Sequence, residues 1–82
     1  MKNISTTIMK FAESRGLEKT FCPSEVAREL FPETWRKEME RVRLEADKLV
    51  KAKKIEVVQK GVVQSKLPSQ LTGPIRLRIS HN

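Results

Sequence analysis

The chain has one cysteine, no tyrosine, three glycines and four prolines among its 82 residues. Each shortage excludes something. A single cysteine, Cys22, rules out an intrachain disulfide and fits a reducing compartment. Aromatic residues make up only 5% of the chain, and the three phenylalanines sit in apolar patterns. Base stacking of the kind used by readers of single-stranded RNA therefore has little to work with. Cys22 and His81 are the only residues of their types, and no Cys–His pair or metal cluster with ligand spacing can be built from them. Glu25 and Glu29 share a helix face, but Arg28 beside them suits ion pairing better than acid–base work. No Gly-rich phosphate loop is present. The expectation is a protein with no cofactor, no metal and no enzymatic activity. No run is apolar enough to span a membrane, and Met1-Lys2-Asn3-Ile4 lacks the apolar stretch of a signal peptide. A cytoplasmic setting is expected.

Acidic residues are also missing from one part of the chain. Seventeen Lys and Arg against ten Asp and Glu give a net charge of +7 and a pI near 10.0. Glu56 is the last acid, and Lys60, Lys66, Arg76 and Arg78 all lie beyond it. A small domain this basic has an electrostatic footprint suited to phosphate, although such a charge also keeps a domain soluble. Hydrophobic residues make up 38% and charged residues 33%. The apolar residues are periodic, so the chain reads as one folded domain over residues 1–82 with one small core.

Asn3 or Ser5 can cap a first helix, in which Ile4, Ile8, Phe11 and Ala12 recur on one face, and Gly16 stops it. Thr20-Phe21-Cys22 is short and extended, suited to a brief strand. A second helix starts at Pro23, with Glu25 placed to reach back to the Cys22 backbone N–H and Phe21 and Val26 in the staple positions. Pro32 ends it. Thr34 can cap a third helix whose stripe of Trp35, Met39, Val42, Ala46, Leu49 and Val50 faces the core. Lys51 to Lys54 place cations at its C-terminal end. Ile55 to Gln59 then reads as a strand, and Ile75, Leu77 and Ile79 alternate in another. Lys60-Gly61 can turn a tight hairpin onto Val62-Val63. Alternatively, and preferred, the strand runs past Gly61 to pair with Ile75 to Ile79, leaving Gln64 to Gly73 as a wing.

Helix, turn, helix and a basic two-stranded ribbon is the order of parts in a winged helix-turn-helix domain. The expected fold is α+β, with three helices packed on a small antiparallel sheet. Docking of such a domain puts the start of the second motif helix in the major groove of double-stranded DNA. Those residues are Thr34, Arg36, Lys37, Glu40 and Arg41. The competing reading is that the i,i+4 pairs Arg36–Glu40, Arg41–Glu45 and Asp47–Lys51 simply neutralise an exposed helix. Arg36 and Arg43 on the flank also have Glu25 and Glu29 within possible reach. Lys60, Lys66, Arg76 and Arg78 have no nearby acid in sequence and suit phosphates, or else guard an edge strand.

Pro23-Ser24-Glu25-Val26-Ala27-Arg28, Trp35-Arg36 with Met39 and Arg43, Gln59-Lys60-Gly61 and Gly73-Pro74-Ile75-Arg76-Leu77 together resemble a small bacterial domain-of-unknown-function family. Its members look like winged-helix domains. The resemblance runs from Phe21 to Ile79 and implies a bacterial cytoplasmic source but no activity. Ser24, Glu25, Arg28, Arg36, Arg43 and Arg76 are the polar positions within it, either a binding surface or a network fixing the helices on the sheet. Two functions follow as expectations: a DNA-binding module of the kind found in small transcriptional regulators, or a protein-interaction module that takes an acidic partner.

Overall fold

The structure, a computed structural model, describes residues 3–80, so His81 lies outside the described residues. Helix α1, Ile4–Arg15, is capped by Asn3, whose side-chain oxygen accepts from the Thr6 N–H at 3.2 Å. Gly16 ends it at φ 76°, a left-handed value that costs glycine little. Ile4, Ile8 and Ala12 face inward. Phe21 then exchanges backbone hydrogen bonds with Leu77 at 2.8 and 2.7 Å, the brief strand the sequence suggested.

Helix α2, Pro23–Leu30, begins with proline at its first position. Glu25 accepts from the Cys22 N–H at 2.9 Å. The same carboxylate takes a 2.7 Å ion pair from Arg15, which ties the end of α1 to the start of α2. Helix α3, Trp35–Lys51, buries Val42, Ala46 and Leu49, with Trp35, Met39 and Val50 packed at the core margin. Thr34 occupies the position before α3 without a side-chain capping bond, so the expected threonine cap does not form. Lys53 takes φ 62° as the chain leaves α3, and the Lys54 N–H reaches Leu49 O at 3.0 Å, the helix-ending loop in which glycine usually occupies the left-handed position.

The sheet has strands β1, Ile55–Gln59, β2, Val62–Val63, and β3, Arg76–Ile79, in the order β2-β1-β3 and all antiparallel. Both pairings open to the sequence are present at once. β1 stops at Gln59 and turns through Lys60-Gly61 onto β2, while its other edge pairs with β3 in the register Val57↔Leu77 and Glu56↔Arg78. The expected continuation past Gly61 does not occur. Both turn residues lie at positive φ, 52° and 79°, the pattern of a type I′ turn, whose twist matches two-residue hairpins.

Ile8, Phe21, Val26, Val42, Ile55, Val57, Ile75 and Leu77 form one core between the helices and the sheet. Phe21 is fully buried and stacks on Phe11 with ring centroids 5.7 Å apart. The result is an α+β fold of three helices and a three-stranded antiparallel sheet, compatible with a winged helix.

Candidate nucleic-acid interface

Helix α3 has four distinct sides. The first packs on the core. The second carries Glu45, which accepts from Ser5 of α1 at 3.4 Å. The third carries Arg43 and Asp47 and is covered by the segment before β3. There Asp47 accepts from the Ser69 N–H at 2.9 Å and its hydroxyl at 2.5 Å. Arg43 donates to Leu71 O and Gly73 O, both at 2.8 Å. A 3₁₀ turn, Pro68–Gln70, seats the buried Pro68 there, and Leu71 is buried beside it.

The polar stretch Gln64 to Gly73 is therefore not a free wing. It folds back on α3 because two apolar residues and two helix side chains hold it there. The element that turns at the sheet edge is the Lys60-Gly61 hairpin.

The fourth side of α3 faces solvent. Lys37, Arg41, Leu44, Lys48 and Lys51, spaced by four, three, four and three residues, fall on one stripe and are all exposed. At 1.5 Å per residue it spans about 21 Å. The i,i+4 pairs of the competing reading are absent among the described residues. Instead Arg41 pairs back to Glu38 and Lys48 back to Glu45, each at 2.7 Å. In both pairs the cation is the outer partner, at 62% against 21% and 73% against 27% exposure. Asp47, which the competing reading paired with Lys51, is committed to Ser69. Lys37 and Lys51 have no ion pair among the described residues.

At the start of α3, Thr34, Arg36 and Lys37 line one shallow recess with Glu33 and Trp35, and Glu40 lies exposed one turn on. Trp35 is only partly buried rather than a fully enclosed anchor. Arg28 of α2 and Arg36 lie over its ring at 4.3 and 5.1 Å from the centroid. Arg41 lies over Phe31 at 5.5 Å. The flank pairing considered for Arg36 and Arg43 does not form, because Glu25 is taken by Arg15 and Glu29 by Lys10. Arg43 is nonetheless structural, through loop carbonyls rather than a carboxylate.

The strand cations divide. Lys60 and Arg76 line one recess with Gln59, Thr72, Gly73 and Pro74, and Lys66 is exposed in the loop beyond β2. The expectation that the last strand lacks acidic neighbours is wrong for Arg78. Its register partner is Glu56, and two guanidinium nitrogens donate to one oxygen of that carboxylate, Nε at 2.8 Å. Only 22% and 19% of the two side chains are exposed. An acid 22 positions earlier is invisible to a count of acids after Glu56, whereas antiparallel pairing makes it a direct neighbour. Arg76 is braced by Thr20, its Nε donating to the hydroxyl at 3.0 Å and a second nitrogen to the carbonyl at 3.2 Å.

Two carboxylates are held below their ordinary range. For Glu25 the main cause is the hydrogen bond from Arg15, opposed by burial and reinforced by the Cys22 N–H. For Glu45 it is the hydrogen bond from Lys48, again opposed by burial. Both therefore stay ionised and keep their cations in place. Sequence reading missed Leu44, Lys48 and Lys51 as interface candidates, and offered Arg28 only as one of the polar positions of the resemblance, a binding surface or a fixing network. The three α3 residues could have been found from the spacing they share with Lys37 and Arg41. Arg28 had no such signal beyond the resemblance, because its relation to Trp35 depends on how α2 packs against α3.

Among the described residues, no group of His, Cys, Asp and Glu side chains could hold a metal ion, and no helix is long and apolar enough to cross a membrane. No curated protein matches the chain significantly. A family model described as a protein of unknown function (DUF3253) matches residues 1–80, and the chain belongs to that family.

Proposed function

We propose that this domain is a DNA-binding module, of the kind a small cytoplasmic transcriptional regulator carries, rather than an enzyme. It lays the solvent face of α3 against a duplex, with Lys60, Lys66 and Arg76 meeting phosphates beside it. The observation that carries this reading is the stripe of Lys37, Arg41, Lys48 and Lys51, in which the two acids that form ion pairs, Glu38 and Glu45, are more covered than the cations they hold, while Glu40 alone is an exposed acid at its edge. Cations displayed over tucked acids present a net positive ridge about 21 Å long, suited to several backbone phosphates. Thr34, Lys37, Glu40 and Arg41 enter the major groove in this reading, where Arg and Lys suit guanine acceptors and Glu accepts from cytosine, and Arg36, held over Trp35, stays at the rim of the groove. Arg78, committed to Glu56, stabilises the sheet and takes no phosphate.

A second reading has its own observation. Leu44 is 48% exposed at the centre of the stripe, and an apolar residue ringed by cations fits an acidic amphipathic protein segment. The two readings separate on Lys48→Glu/Lys51→Glu and Leu44→Ser, assayed by anisotropy on random duplex DNA. DNA binding requires the charge reversal to abolish affinity and Leu44→Ser to leave it nearly intact. No duplex binding by the unaltered chain gives the lead to the acidic protein partner.

A further inference from the structure

Arg28 and Arg36 come from different helices, both are exposed, and neither side chain has an ion pair or hydrogen bond among the described residues. Each lies over Trp35, the only tryptophan in the chain. Attraction to an indole face restrains a guanidinium without using its N–H donors. A loose arginine loses side-chain freedom when it binds, and these two have lost part of it already. Lys37 lies in the same recess as Arg36 and Trp35 and adds a third cation without an ion pair among the described residues. Glu33 is the one acid lining that recess.

Planar guanidinium forks match the oxygens of a phosphate bidentately. The patch is open and its arginines are exposed, so it offers no enclosed cradle for a small anion. A polyanion overcomes that, because neighbouring charges engage Lys37 and the α3 stripe at the same time. We propose that Arg28 and Arg36, laid on Trp35, form a clamp for the nucleic-acid backbone, so that a duplex is gripped from α2 as well as α3. This rests on the DNA-binding reading and adds Arg28, Trp35 and a sequence-independent contact to it. Arg28 positions the duplex and reads no base.

The test uses the full chain with Arg28→Gln, Arg36→Gln, Arg28→Lys and, as a control for net charge, Lys19→Gln. Each is titrated with random duplex DNA from 50 to 200 mM salt, and with poly-glutamate of equal charge. Trp35 emission serves as the local signal, and melting curves confirm folding. The clamp predicts that duplex binding changes Trp35 emission in the unaltered chain. It also predicts that Arg28→Gln and Arg36→Gln each reduce the salt slope by about 1, a loss of roughly 3- to 4-fold in salt sensitivity over that range, while Lys19→Gln has little effect. Arg28→Lys, a point charge without the fork, restores only part of the affinity. Duplex binding that Arg28→Gln and Arg36→Gln weaken no more than Lys19→Gln overturns the clamp and leaves the DNA reading standing. Binding to poly-glutamate but not to duplex overturns both.

Discussion

Asp47 on α3 takes both the backbone N–H and the hydroxyl of Ser69, at 2.9 and 2.5 Å, and so closes the segment that precedes β3 onto the helix. Asp47 is 8% exposed, on a helix whose other acids all remain partly or fully accessible. The contact fixes which faces of α3 are available, and the solvent stripe is what remains.

Replacing Asp47 with Ala should lower unfolding stability by about 1–2 kcal/mol. Two hydrogen bonds to the carboxyl group are lost, but Ser69 is exposed enough for water to take up its donors. Asp47→Asn keeps one acceptor oxygen and should fall between. Urea unfolding midpoints measure both, and a loss under a few tenths of a kcal/mol would mean that Pro68, Leu71 and Arg43 hold the segment without Asp47.

Phe21→Ala should be more damaging than Trp35→Ala. Phe21 is fully enclosed and stacked on Phe11, so the cavity it leaves should cost about 3–5 kcal/mol. Trp35 is partly exposed, and about 2–3 kcal/mol is expected from the smaller area it buries. Thermal melting of the two variants gives the order, and the reverse order would place the centre of the core at the wrong end of the molecule.

Lys60 separates stability from binding. It occupies the first central position of the hairpin turn at φ 52°, where asparagine is favoured. Lys60→Asn should raise stability by about 0.5 kcal/mol by relieving the left-handed lysine, while removing one phosphate contact and weakening duplex binding. A melting point that rises as DNA affinity falls is the expected signature. A variant that loses both has a lysine that is structural.

Stability should fall on the acid side. Glu25 and Glu45 release their protons more readily in the folded chain than at the ordinary carboxylate value of 4.5, so the unfolded chain binds more protons as pH drops. Their contribution is complete above that value and is lost as pH falls through the lower folded values. Glu25→Gln should therefore flatten the acid limb of a melting-point-against-pH curve, leaving the part due to Glu45. An unchanged acid limb would mean that Arg15 and Glu25 do not interact in solution.

The elements were legible because each carried its own local signal. Asn3, Gly16, Pro23, Pro32 and the stripe from Trp35 to Val50 mark their helices through caps, stops and periodicity. What the sequence hid was long-range. Glu56 and Arg78 become neighbours only through strand register, and Arg43 and Asp47 acquire their partners only when the segment around Pro68 folds back. A ten-residue polar stretch with one proline reads as a loop whether it projects or packs, and buried Pro68 and Leu71 decide that it packs. In the candidate interface, the cations of α3 were legible by spacing. In place of the i,i+4 pairs of the competing reading, the helix forms i,i+3 pairs that leave the cations outermost.

The most direct test of the account is the salt dependence of binding to random duplex DNA by the full chain. With about five cations meeting phosphates, log K should fall against log salt with a slope of roughly −4 to −5, from micromolar or tighter binding at low salt. Absence of detectable binding at low ionic strength, with the chain folded, would contradict it.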